Sequence, residues 1–396
     1  MVLLAAIALF VVQGWIYAGA QFSWHEEIAT HAVPAPLQLI IDHGVARVVD
    51  ACASGDWIAY TGPRPQVVLC AGGLAWPIMV TPYIGGPPYW PLQLLRPLHH
   101  GDPIAMRRAA LLFGVLALWI LFRLVERVGN PTYAAAVVAV AAVQPAFIAI
   151  HSLLVLFEPV PPLLIAGAAL LIANRPDPSR PPTAGRAAAA GALAGLAVLA
   201  NVKGAVVGLP ILAFALFESA SLRRTSGRAW LAAAVAALIM LAPMIVFGLA
   251  DPQGRFSHEV SRRLAIAAAR LDPRLLLAEV FNSFIFAADF GFYFDLAIGG
   301  DGGLRPPLLL VAAFAFANSV FAFGRALLRK THDPVAAACG GLQLFYVLFV
   351  CLAYNQTPGG NYSPIIYAQA VSMGCAIIAV GRAAARRAGR PRLGIA

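Results

Sequence analysis

Ten apolar stretches, each near the roughly 20 residues a helix needs to cross hydrocarbon, dominate this chain. They lie at about 1–22, 105–126, 131–150, 154–174, 186–201, 204–221, 229–249, 305–328, 334–354 and 363–382. The chain is 60% hydrophobic and 12% charged, where a soluble domain is nearer a quarter charged. Water-soluble folds are excluded, and the reading is an all-α polytopic membrane protein. Residues 186–201 and 204–221 are expected to meet in a tight hairpin at Asn201-Val202-Lys203-Gly204. Residues 66–84 are also apolar. Gly72, Gly73, Pro77 and Pro82 interrupt them, which predicts a re-entrant or interfacial piece. The first stretch has no basic n-region and no small-residue cleavage site before Trp24, so it is read as a span and not a signal peptide.

The net charge of +10 is not spread evenly. With the N-terminus placed inside, the inner connections and the tail hold 16 of the 28 basic residues. Among them are Arg123, Arg127, Arg186, Arg223, Arg325 and Arg382. Only Glu126, Asp177, Glu218 and Asp333 oppose them, so the inner side carries +12 and the outer side −2. Basic residues concentrate on the cytoplasmic side of membrane proteins. Both termini are therefore expected in the cytoplasm, in a bacterial inner membrane. The basic tail 383–396 is expected on anionic lipid and not on nucleic acid. Cys339, Cys351 and Cys375 fall in spans and read as packing residues, while Cys52 and Cys70 fall outside, where a disulfide is chemically permitted.

Two outer segments are long, about 23–104 and 250–304, and long ordered loops tend to carry function. In the first, Pro36 to Ala53 reads as an amphipathic interfacial helix. It is followed by Gly, Pro and aromatic residues suited to the headgroup zone. In the second, Ser257–Arg270 and Pro273–Asp289 read as helices. The whole chain, 1–396, is expected to form one domain.

The chemistry is expected at the outer end of the first span, in Trp24-His25-Glu26-Glu27. Carboxylates at a membrane edge are costly and are enriched in function. A pair of them can accept a proton. The bland reading is a solvated helix end or a salt bridge to an outer arginine.

Further along lie Pro77 through Tyr89, rich in Tyr, Gly and Pro, and the element Gly101-Asp102-Pro103-Ile104-Ala105-Met106-Arg107-Arg108. Then come Gln144-Pro145-Ala146-Phe147, Phe157-Glu158-Pro159, and a Gly-rich span from Gly191 that leads to Asn201-Val202-Lys203. In this order, over about residues 1–215, these elements resemble the GT-C glycosyltransferases. The likeness is closest to the branch of protein mannosyltransferases and bacterial aminoarabinose transferases. Two departures stand out. Glu26 occupies a position where the family usually has Asp, and Asn361 precedes Tyr362 where the family tends to show Arg.

The resemblance implies transfer of a sugar from a polyprenyl-phosphate donor to an acceptor at the outer face. It implies a carboxylate base, Glu26, with Glu27 as alternative or helper. Lys203 is one of only two lysines in the chain and is a candidate for the lipid phosphate, with a snorkelling interfacial lysine as the other reading. Glu158 either orients a hydroxyl or caps the next helix. Arg262 and Arg263 either meet phosphate or form a solvated helix face. Tyr83 and Tyr362 complete the candidate substrate residues. No metal and no cofactor are assigned, since three adjacent residues rarely converge on one ion. The expected partners are a polyprenyl-phosphate-linked sugar and membrane lipids. The competing readings are a lipid or sugar transporter or flippase, and a non-catalytic membrane subunit of an envelope assembly with protein partners.

Overall fold

The computed structural model describes residues 1–19, 57–60, 66–71, 74–81, 84–100, 102–128, 130–152, 160–173, 180–218, 220–250, 306–353 and 363–387, with Ser261, Ala265 and Arg274 as isolated helical positions. The helices are α1 (Val2–Ala18), α2 (Trp90–Leu94), α3 (Arg96–His99), α4 (Pro103–Val128), α5 (Pro131–Val143), α6 (Pro145–Ser152) and α7 (Val160–Ala173). They continue with α8 (Ala184–Ala200), α9 (Lys203–Glu218), α10 (Ala220–Arg223), α11 (Gly227–Ala250), α12 (Pro306–Leu327), α13 (Pro334–Ala353) and α14 (Ser363–Arg387). Each of the ten stretches overlaps one of these helices, the third the pair α5–α6. Among the described residues, four helices are long and apolar enough to cross a membrane, or five if the bent pair is one span. The fold is a polytopic helical membrane protein.

The stretch predicted as a re-entrant or interfacial piece belongs to an antiparallel meander: β1 (Trp57–Tyr60), β2 (Gln66–Ala71), β3 (Leu74–Thr81) and β4 (Ile84–Gly85). Only Gly72 and Gly73 lie between the paired Ala71 and Leu74, which is hairpin chemistry. Pro77 has no N–H for a ladder. It is tolerated because it pairs with Val68 at a register shift, while β4 reaches only Met79 and Thr81. The expected helix at Pro36 to Ala53 lies outside the described residues. The expected second-loop helices are described only at Ser261, Ala265 and Arg274.

Helix starts follow local side chains. Asn130 Oδ1 accepts the Tyr133 N–H at 2.7 Å ahead of Pro131. Asp333 Oδ1 accepts the N–H groups of Val335 and Ala336 ahead of Pro334. Asp102 Oδ1 accepts the Ala105 N–H at 2.6 Å ahead of Pro103. A short polar cap followed by proline at the first position is a favoured start, because proline lacks only an N–H that would be orphaned anyway.

Packing centres on α1, α4, α5, α6 and α14. Phe10, Met106, Leu118, Phe147, Ile148 and Ile366 share the main core. Helix α14 runs through it, with residues 365–376 all buried. Close approaches use small residues: a Cβ on Gly191 or Gly195 of α8 would strike the backbone of Ala233 or Ala237 on α11, the small-residue contact typical of membrane helix pairs. Between α12, α13 and α14 the Ser319 and Ser372 hydroxyls lie 2.8 Å apart, and Gln343 Nε2 donates to Ser372 Oγ at 2.8 Å.

Candidate functional site

Contacts between helix ends sort them onto two faces. One face is basic and tightly tied. Arg127 donates to the Leu171 carbonyl at the end of α7. Arg186 donates to the neighbouring Ile172 carbonyl through Nε and Nη2 at 3.1 and 3.0 Å. Arg223 donates to the Leu216 and Phe217 carbonyls ending α9. Helix C-termini present unpaired carbonyls and partial negative charge, and arginine answers both. Tyr133 donates to Asp333 at 2.7 Å, and His332 lies 3.3 Å from Glu218.

The opposite face gathers the elements singled out in the sequence. There α1 ends at Ala18, eight residues before Glu26. Buried Arg107 Nη1 donates to the Ala18 carbonyl at 3.4 Å, and the Arg108 guanidinium lies 4.4 Å over the Trp15 ring. Two adjacent residues of α4 thus fix the end of α1, after which the sequence continues to Glu26 and Glu27. Asp102 of the same element serves as the helix cap.

The β-meander meets this face as well. A Cβ on Gly85 would strike the Leu199 carbonyl and side chain, so only glycine permits β4 to lie on the end of α8. The expected hairpin is present. Helix α8 ends at Ala200 and α9 begins at Lys203, with the Gly204 N–H donating to the Asn201 carbonyl at 2.7 Å. Gly204 packs against the Ala197 backbone, and Asn201 is buried. The segment after Tyr83 and the segment before Lys203 are therefore in contact. Lys203 is the first residue of α9. Glu26, Glu27, Tyr83, Glu158, Arg262, Arg263 and Tyr362 lie outside the described residues.

Deeper in the bundle is a polar pair that the sequence reading missed. The chain breaks at Gln144, whose backbone is extended and whose Oε1 accepts the Phe147 N–H at 2.7 Å. The axes of α5 and α6 then differ by 67°. That bend carries His151 into the core, where Nε2 and the Tyr367 hydroxyl hydrogen-bond at 2.9 Å. Phe147, Tyr367 and Phe10 surround the imidazole with ring centroids 4.7, 5.7 and 5.8 Å away. His151 Nδ1 is buried with no hydrogen-bond partner among the described residues. A lone histidine in an apolar stretch was the available signal. Among the described residues, no cluster of three His, Cys, Asp or Glu side chains could hold a metal ion.

Comparison with known proteins supplies the context. The dolichyl-phosphate-mannose-protein mannosyltransferase family matches residues 87–247. Two crystal structures of ArnT from Cupriavidus metallidurans share the fold. One is bound to undecaprenyl phosphate, with a TM-score of 0.58, and one is in the apo state, at 0.55. Each is 16% identical, and each alignment covers 97% of this chain and 64% of ArnT. No curated protein matches the chain in sequence.

Proposed function

We propose that this chain, which has the fold of the protein-mannosyltransferase and aminoarabinose-transferase-like branch of the GT-C superfamily, transfers a sugar from a polyprenyl-phosphate donor to an acceptor. The observation that carries this reading is the assembly of the non-basic face. The exit of α1 pinned by Arg107, and β4 seated beside the hairpin that opens α9 at Lys203, lie in a fold shared with a protein crystallised with undecaprenyl phosphate. Glu26 is the base that takes the proton of an attacking acceptor hydroxyl, with Glu27 beside it. Lys203 meets the phosphate leaving group, which needs positive charge and no covalent help. Tyr83, Glu158, Arg262, Arg263 and Tyr362 supply further contacts to donor or acceptor. The basic face, with both termini, is cytoplasmic, and the transfer occurs on the other side of a bacterial inner membrane.

The test is transfer by the purified protein from radiolabelled undecaprenyl-phosphate sugars to lipid and protein acceptors, compared with Glu26→Gln. Turnover by the wild type and its loss in the variant support the reading. A wild type that binds the lipid phosphate and never turns over favours the non-catalytic subunit. Single cysteines settle the orientation: a membrane-impermeant maleimide should reach 23–104 and 250–304 from outside and miss 223–228. Labelling of 223–228 reverses the faces.

A further inference from the structure

The turn between α12 and α13 places an arginine where a glycine would be easier. The Lys330 N–H donates to the Arg325 carbonyl and the Arg329 N–H to the Ala326 carbonyl, both at 2.9 Å. This pair of bonds ends a helix through one left-handed residue, here Arg329 at φ 56°. Glycine adopts that backbone without steric cost, and a residue with a Cβ does not. The Arg329 guanidinium lies 3.8 Å over the Phe217 ring at the end of α9. Arg223 donates to the carbonyl of the same Phe217, so two guanidiniums from distant parts of the chain meet at one residue. Arg325 Nε donates to the Thr331 carbonyl at 2.6 Å, and Lys330 is exposed beside it. The carboxylates of this junction are already engaged: Glu218 lies 3.3 Å from His332 Nε2, while Asp333 accepts the Tyr133 hydroxyl and caps α13. Cations held together repel, and an anion between them removes the repulsion. The neighbouring surface of α12 is apolar, with Phe321, Leu327 and Leu328 exposed and the Arg325 guanidinium 5.7 Å from the Phe321 ring centroid.

From this juxtaposition we propose that the junction of α9 and α10 with the α12–α13 turn binds an anionic phospholipid, its headgroup phosphate on Arg329 with Arg223 and Lys330 around it, its acyl chains along the exposed apolar side of α12. A guanidinium stacked on an aromatic ring keeps its in-plane N–H groups for an acceptor, and their fork matches two phosphate oxygens. Basic pockets between helix ends at the cytoplasmic membrane edge suit such headgroups. A ligand charged at one end and hydrocarbon at the other fits both halves of the surface, which a soluble anion does not. The site belongs to the basic face, and it stands whether or not the transferase reading does.

The experiment titrates the purified full chain, in neutral detergent, with phosphatidylglycerol, phosphatidylcholine and inorganic phosphate. Native mass spectrometry counts bound lipid, and thermal unfolding is followed in parallel. The wild type should prefer phosphatidylglycerol to phosphatidylcholine by roughly tenfold or more and unfold at a higher temperature with it. Arg329→Gly is the decisive variant. Glycine suits the left-handed backbone, so without lipid the variant should be at least as stable as the wild type. It should nevertheless lose roughly tenfold or more in phosphatidylglycerol affinity, the scale of a charge-assisted hydrogen bond, together with the rise in unfolding temperature. Arg329→Lys keeps the charge without the fork and should fall between the two. Arg228→Ala removes an exposed charge from α11, outside the junction, and should weaken binding by about fivefold or less. Equal phosphatidylglycerol affinity in the wild type and Arg329→Gly overturns the proposal. So does an equal fall in Arg228→Ala, which reduces the cluster to diffuse surface charge. Loss of stability in Arg329→Gly without lipid makes the arginine structural and overturns it as well. Displacement of the lipid by millimolar inorganic phosphate assigns the site to a soluble anion instead.

Discussion

The two faces of the bundle are built from different chemistry. On the basic face, Arg127, Arg186 and Arg223 each close a helix end by donating to its last carbonyls, and Asn130 and Asp333 cap the helices that start there. Short connections join neighbouring helices, as between Leu327 and Pro334. The opposite face receives a β-meander seated against the α8–α9 hairpin, and has Arg107 and Arg108 fixing one exit point. Charge on the first face ties the helices to one another; on the second it surrounds the places where the chain leaves them. A face that satisfies its own polar groups contributes to stability, and a face that holds groups ready for a ligand contributes to function at some cost in stability.

That contrast can be broken or sharpened by substitution. Glu26→Gln should cut transfer by roughly two to four orders of magnitude, the scale of general-base loss, with unfolding temperature unchanged; Glu27→Gln should do less. Equal turnover in wild type and Glu26→Gln, with loss in Glu27→Gln, would move the base by one residue. Lys203→Ala should raise the donor KM by roughly ten- to a hundredfold, the worth of a charge-assisted hydrogen bond to phosphate, and change kcat less. Unaltered donor titration would make Lys203 a snorkelling residue.

Away from both faces, Gly195→Val should destabilise the α8–α11 contact by about 1–3 kcal/mol. The new Cβ meets the Ala237 backbone, which cannot swing aside as a side chain would. Thermal unfolding in detergent reads this directly. On the basic face, Tyr133→Phe should cost about 1 kcal/mol by removing the hydrogen bond to Asp333, with activity per folded molecule preserved. A turnover defect in Tyr133→Phe that exceeds its stability loss would show the two faces to be coupled.

The apolar helices were legible because hydropathy marks them, and the hairpin before Lys203 was legible from its small and polar residues. The meander was not, because Pro77 argues against a strand until its bulge is seen, and Gly72-Gly73 reads equally as a broken helix. The arginines were read as a topology signal. Their second role, closing carbonyls across helices as Arg127 does for Leu171, needs the third dimension. The same holds for His151, whose partner is 216 residues away and follows no local period. Asp102 belonged to a recognised element, yet its visible work is to cap α4.

The bend at Gln144-Pro145 also bears on the surrounding lipid. Helix α5, with 13 residues, rises only about 20 Å against roughly 30 Å of hydrocarbon, and α6 continues 67° off its axis inside the protein, where Ala146 to Ser152 are buried. Helix α11, with 24 residues, is full length and exposes Leu231, Val235, Leu238, Ile239, Val246 and Leu249. Lipid answers a short helix by thinning and a long one by tilt or thickening. Because α5 and α6 are packed inside the bundle, the break that shortens them is hidden from lipid, and the bilayer beside the protein is fitted instead by full-length helices such as α11.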